Sequence, residues 1–148
     1  MMKLSTRARY GLRALLDLAL HQGEGLVPLK DIARRQEISL PYLEQLITPL
    51  IAAGLVRSTR GSRGGVALAR LPSEIRLSEV VRVLEGSVAP VECVNDPGLC
   101  HRSADCVSRD VWKGMMEAMV QVLESVTLQD LTERPKGTRQ AAMEMYYI

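Results

Sequence analysis

All three cysteines of the 148-residue chain fall between Cys93 and Cys106, in the stretch VECVNDPGLCHRSADC. Asn95, Asp96, Pro97 and Gly98 mark this stretch as a loop, and it carries too few apolar side chains to be ordered by packing. The faces that fold the chain must therefore lie in the segments before and after it. Thiolates are soft ligands for iron-sulfur clusters and zinc, while an odd cysteine count without a secretory signal argues against a disulfide framework. The spacing, Cys-x6-Cys-x5-Cys, has neither the Cys-x2-Cys hooks of zinc ribbons nor the tight run of ferredoxins. Spacing alone thus leaves both metal ligation and three ordinary thiols open.

A chain of this length holds one domain of ordinary size, or a small domain with an oligomerising appendage. Phe is absent and there is one Trp, so a core has to be built from Leu, Val, Ile, Ala and Met, which favours helices. No apolar run approaches the ~20 residues of a membrane span. Arg7, Arg9, Arg13 and Asp17 interrupt the N-terminal stretch where a signal peptide would be apolar. A cytoplasmic protein without membrane partners is expected. The net charge of +2 hides an asymmetry: residues 1–70 carry eleven Lys or Arg against five Asp or Glu, a net of +6, and residues 71–148 carry eight against twelve, a net of −4. The basic half is the candidate polyanion-binding half.

Residues 5–21 read as a helix capped by Ser5 or Thr6, with Ala8, Leu12, Leu15, Leu16 and Ala19 at helical spacing and Arg7, Arg9 and Arg13 off that stripe. Pro28 opens a second, short helix, LKDIARRQ. After Glu37-Ile38, Ser39 caps a third helix whose stripe is Leu43, Leu46, Ile47, Leu50 and Ile51. Two helices joined by a tight turn in a basic segment have the plan of a helix-turn-helix. LVRST and VALAR are strand-like runs around the turn Arg60-Gly61-Ser62-Arg63-Gly64-Gly65, and strand, basic turn, strand after such a pair is a wing. The narrow minor groove of DNA draws in arginine, the task expected of Arg60 and Arg63. A solvated hairpin tip is the competing reading. On the third helix Pro41, Tyr42, Glu44, Gln45 and Thr48 face away from the stripe. Gln45 can pair with adenine, Glu44 can accept from cytosine N4, and Tyr42 can reach a phosphate or a thymine methyl.

Leu71-Pro72 closes this expected winged domain, 1–72. Ser78 is expected to cap a short helix, SEVVRVLEG, from which the cysteine loop hangs. Ser108 is expected to cap a long helix in which Trp112, Met116, Met119, Leu123 and Val126 recur as a heptad seam, widened by Val111, Met115, Val120 and Val122. That surface predicts a dimerisation helix, with packing inside the protomer as the alternative. The segment 73–134 thus unites the loop, the dimerisation helix and a short helix over Thr127–Glu133, and 135–148 is a tail. The predicted class is mainly α, a winged helix-turn-helix followed by a long dimerisation helix.

In this order the elements resemble the Rrf-type bacterial transcription regulators, above all their IscR and NsrR branches. The motifs that carry the resemblance are LSTRARYGLRALLDLAL, VPLKDIARRQEISLPYLEQL, GLVRSTRGSRGG and TLQDL. It implies a homodimer on a palindromic double-stranded DNA operator, RNA polymerase as a further partner, and an iron-sulfur cluster, 2Fe-2S or 4Fe-4S, held by Cys93, Cys100 and Cys106. It also implies DNA contacts from Ser39, Tyr42, Glu44, Gln45 and Arg60, and matches Glu44 to a glutamate that helps decide which operator class is accepted. Two departures stand out. Arg109 replaces the histidine that is the fourth ligand in the IscR branch, and Arg9 stands where the NsrR branch has a ligating carboxylate. His101 is the remaining local candidate for that ligand, beside Asp96, Asp105, Asp110, Glu92 or an exogenous group. A zinc or thiol-redox switch on the same three cysteines is the alternative regulator. An enzyme is not expected, because two histidines 80 positions apart and no nucleotide-binding glycine loop make no catalytic constellation.

Overall fold

Ser5 starts the first helix because its hydroxyl accepts from the backbone N–H of Ala8 at 3.2 Å, one of the donors a helix start leaves unpaired. In the computed structural model, which describes residues 3–134, this helix, α1, runs over Thr6–Leu20. The expected tail from 135 and its Pro135-Lys136-Gly137 stop lie outside the described residues. The buried face of α1 is Ala8, Gly11, Ala14, Leu15, Leu18 and Ala19. Leu12 and Leu16, expected on that face, are half-buried at its margin. Gly11 explains the offset: a Cβ there would collide with the Leu84 side chain, so its absence lets α1 approach a helix from the second half of the chain.

Helix α2 spans Leu29–Gln36 behind Pro28. Glu37 then turns the chain in the left-handed region, φ 54° and ψ 47°, and Ser39 caps α3, Leu40–Ala52, by accepting from the Tyr42 N–H at 3.4 Å. Leu43, Leu46, Ile47 and Leu50 are buried; Ile51, read as part of the stripe, is 38% exposed. Pro49 lies inside α3 and has no N–H to donate to the carbonyl one turn back. The wing follows as β1, Val56–Thr59, antiparallel to β2, Gly65–Leu68, in the register Val56 to Leu68. Val27 extends it by exchanging two backbone hydrogen bonds with Val66, 2.8 and 2.9 Å. At Gly65 a Cβ would stand 2.5 Å from the Val27 oxygen, which is why the wing's base carries glycine.

Helix α4 is Leu77–Glu85. Its cap position is Arg76 and not the expected Ser78, which lies inside the first turn. The cysteine loop holds three 3-10 turns, Glu92–Val94, Pro97–Leu99 and Ser103–Asp105. Helix α5 is Val107–Glu124, with Cys106 rather than the expected Ser108 at its cap. Helix α6, Leu128–Thr132, opens on a capping box between Thr127 and Asp130. It docks on α1 and inserts Leu128, fully buried, into one core with Leu15, Ile32, Leu43, Leu50, Val66, Ile75, Val80 and Leu84. The core of the winged half therefore draws on residues well beyond 72. Leu77 N–H donates to the Val126 carbonyl and Leu128 N–H to that of Ile75, both at 2.9 Å, so the far end of α5 is tied to the start of α4.

Candidate nucleic-acid interface and thiol loop

Two groups of side chains reach solvent beside one another in sequence. Glu44, Gln45 and Thr48 are exposed on α3, and Arg60 and Arg63 are exposed on the wing turn. None of these charged residues forms an ion pair among the described residues, so their charges are available to a partner. Ser39 is exposed, and its hydroxyl accepts the capping bond while its O–H remains free to donate. Tyr42 is half-buried, its ring edge-on to Tyr10 at 6.2 Å and 82°, with the Arg13 guanidinium 5.0 Å from the Tyr10 ring centre. The start of α3 is thus fixed to α1 by aromatic packing.

Sequence reading missed what holds this surface rigid. Asp17 lies on the buried face of α1 and is 2% exposed. Arg35 donates to both its carboxylate oxygens, at 2.9 and 2.6 Å, and Gln36 donates at 3.0 Å. Burial pushes the Asp17 carboxyl up, but the Arg35 and Gln36 hydrogen bonds and the charges of Arg35 and His21 outweigh it and hold it below the usual value. Arg13 adds a bond to the Gln36 carbonyl. The helix that precedes the turn is thereby locked to α1. A carboxylate among apolar neighbours, with Arg and Gln 18 and 19 residues on, was the signal available.

In the loop Cys93 and Cys106 are half-buried and Cys100 is exposed. Val94 is the loop's one buried apolar side chain. Arg109, on the first turn of α5, donates from Nε to the Cys93 carbonyl at 3.0 Å, which clasps the start of the loop to the helix at its end. The position where a ligand was sought therefore does structural work. His101 is exposed beside Cys100, and among the described residues no three His, Cys, Asp or Glu side chains are gathered as a metal site. In kind the donors suit a thiolate-bound cluster: three thiols, with a buried hydroxyl between two of them, Ser103 Oγ, that has no hydrogen-bond partner. Three candidate thiols lie in the loop, and the described residues gather no further donor with them.

Helix α5 buries none of its side chains in the protomer. Of the expected seam, Trp112 is exposed and Met116, Met119 and Leu123 are half-buried. The barest apolar side chains are Val107, Val122 and Val111, at 80, 64 and 57%, so the uncovered face is rotated from the heptad line. Met119 and Leu123 also line a groove of about 690 Å³ with Leu4, Glu85, Val88 and Pro90. No helix among the described residues is long and apolar enough to cross a membrane.

Residues 4–134 match the model of a family described as Rrf2, iron-dependent transcriptional regulator. The chain is 48% identical over 130 residues to protein rrf2 of Nitratidesulfovibrio vulgaris, covering 88% of this chain and 87% of that one. It is 42% identical over 147 residues to the HTH-type transcriptional regulator CymR of Bacillus subtilis, 99% of this chain and 100% of that one. The solved structure of that regulator, titled as the global cysteine regulator, superposes with a TM-score of 0.76 over 91% of this chain and 99% of that one. The structure of T. potens IscR is 44% identical, with a TM-score of 0.72 over 87% of this chain and 85% of that one. The mostly helical, winged-helix architecture described above matches that of these two solved structures.

Proposed function

The chain belongs to the Rrf2 family of transcription regulators, and on that footing we propose that it acts as a homodimer on a palindromic double-stranded operator, with an iron-sulfur cluster on Cys93, Cys100 and Cys106 setting its DNA affinity or sequence preference. Cytoplasmic DNA is its partner and RNA polymerase its downstream contact. Glu44 and Gln45 read bases, Ser39 and Tyr42 fix the start of the reading helix, and Arg60 and Arg63 enter the minor groove. The uncovered face of α5 meets the same face of a second copy. The observation that carries the reading is the clasp between Arg109 and the Cys93 carbonyl: the loop is joined to the first turn of α5, so ordering of the thiols bears on the element that sets the distance between two reading helices. The family's own description as iron-dependent supports iron as the metal. A bound cluster would supply a redox-active, labile charge centre at the loop; this chain's part is to offer three thiolates and to transmit their order through Arg109.

A second reading has its own support. Cys100 is exposed, and CymR, a relative that covers 99% of this chain, is described as a global cysteine regulator, which together suit a thiol-redox or zinc switch. Anaerobic isolation separates the two. Iron and acid-labile sulfide in comparable amounts, both lost in Cys93→Ala, Cys100→Ala and Cys106→Ala with the fold intact, are expected. Stoichiometric zinc without sulfide, or metal-free protein whose thiols pair on oxidation, selects the second reading.

A further inference from the structure

Where the chain leaves α1, residues 21–27 meet the base of the wing around a pocket of about 330 Å³, at the lower end of the sizes in which small molecules bind. Its inner wall is apolar: Leu18 and Val27 are buried and Leu68 is half-buried. Its rim is polar, with His21, Gln22 and Arg57. Arg57, exposed on β1, forms no ion pair among the described residues, so its permanent charge is uncompensated there. His21 Nδ1 lies 2.7 Å from the Asp17 carbonyl oxygen; a carbonyl only accepts, so Nδ1 carries a hydrogen and Nε2 is left over. Gly23 and Gly25 also line the pocket, and neither N–H makes a backbone hydrogen bond among the described residues. No Asp or Glu lines it, and Asp17, the carboxylate beside His21, already accepts two hydrogen bonds from Arg35.

We propose that this pocket is a binding site for a small organic anion, a carboxylate held by the Arg57 guanidinium at the rim with a short apolar body against Leu18, Val27 and Leu68. A guanidinium meets a carboxylate through two parallel N–H donors, and the Gln22 amide and the two glycine N–H groups supply further donors at the rim. One permanent cation matches a singly charged carboxylate, whereas a phosphate dianion would leave charge over. The apolar wall makes the other half of the selection, because water on Leu18 and Val27 is released to advantage only by an occupant with hydrocarbon to put there. The site is separate from the reading residues and from the cysteine loop, and it does not depend on a cluster. Its walls come from α1 on one side and from both wing strands on the other, so an occupant bridges that helix to the wing that carries Arg60 and Arg63.

The test titrates the 148-residue protein with sodium butyrate at constant ionic strength, made up with sodium chloride, and follows the backbone amide resonances. Saturable shifts confined to residues 21–27 and to Arg57, Ala67 and Leu68 are expected, with a Kd on the order of millimolar, the strength open to so small a ligand. Acetate, which lacks two methylenes, is expected to bind on the order of tenfold more weakly. Arg57→Met is expected to lose the shifts while keeping the wild-type melting temperature, and Arg57→Lys, which keeps the charge without the fork, to retain weaker ones. Shifts that grow linearly without saturating, or that persist unchanged in Arg57→Met, overturn the site. Inorganic phosphate binding more tightly than butyrate overturns the carboxylate assignment. Operator binding without butyrate is the last arm: if Arg57→Met weakens it as much as Arg60→Ala does, Arg57 serves the DNA backbone and the proposal falls.

Discussion

Asp17 gains nothing from being inside α1 unless Arg35 and Gln36 meet it, and that dependence makes a pH signature. Its folded carboxyl titrates below the usual carboxylate value, so its contribution is fully present above the unfolded value, about 3.9, and is lost as pH falls through the folded value. Asp17→Asn should destabilise the protein by about 3 kcal/mol at neutral pH, the low end for breaking a buried pair, because Arg35 is 30% exposed and can be rehydrated. The gap between the thermal melts of the two proteins should begin to narrow below about pH 4 and close once pH is below the folded value; a gap that stays constant through acid would remove Asp17 from this role. The reading residues respond differently. Arg60→Ala should weaken binding to every operator and reduce the salt slope of log K by about 0.9 per lost phosphate-level contact. Glu44→Ala should relax discrimination between operators with little change in mean affinity, as binding titrations on operator variants would register. Glu44, Gln45, Arg60 and Arg63 were legible because polar side chains opposite an apolar stripe, or in a Gly-rich turn, have nowhere to go but solvent. Asp17 was not, since a single charge among apolar neighbours reads as an interruption until its partners are known.

At the scale of elements, every helix and both strands were visible as periodicity or turn chemistry, and the errors were local. Ser78 and Ser108 looked like caps but lie within first turns, where Arg76 and Cys106 stand at the boundary without a side-chain capping bond. The boundary is set by long-range ties instead: Arg109 to Cys93 for α5, and the Leu77–Val126 and Leu128–Ile75 backbone bonds for α4 and α6. Such ties join residues 16 to 53 apart and leave no trace in local pattern. The same blindness hid how far the core extends, for Leu128 enters it only because α6 returns to α1. Helix α5 is where pattern and surroundings diverge most. Its heptad line was read correctly as apolar, yet Val107, Val111 and Val122, to one side of it, are barer. If a second copy covers this face, Val122→Asp has to desolvate an unpaired carboxylate, costing on the order of 3–5 kcal/mol. Sedimentation should then find a monomer with unchanged helical content; a dimer at micromolar concentration would take this face out of the dimer contact.

For the molecule as a whole, one reading helix spans too few base pairs to select an operator, and two must sit about 34 Å apart, one turn of DNA, to read a palindrome. In the proposed dimer that distance is fixed by α5, whose near end is clasped to the thiol loop and whose far end is tied to the winged core. In that dimer a change in the loop would alter the spacing of the reading helices without touching either of them. The sequence could suggest the parts of this device, a basic winged half and a cysteine loop before an apolar helix, while their coupling depends on Arg109 and the α4–α6 bonds. The most direct test compares operator affinity for protein loaded anaerobically with iron and sulfide, the same protein stripped of metal, and a Cys93→Ala variant. The account predicts that stripped protein and variant agree with each other and differ from loaded protein by at least about tenfold in affinity, a coupling of about 1.4 kcal/mol, or invert its preference between operator variants. Identical affinity and preference in all three would contradict it.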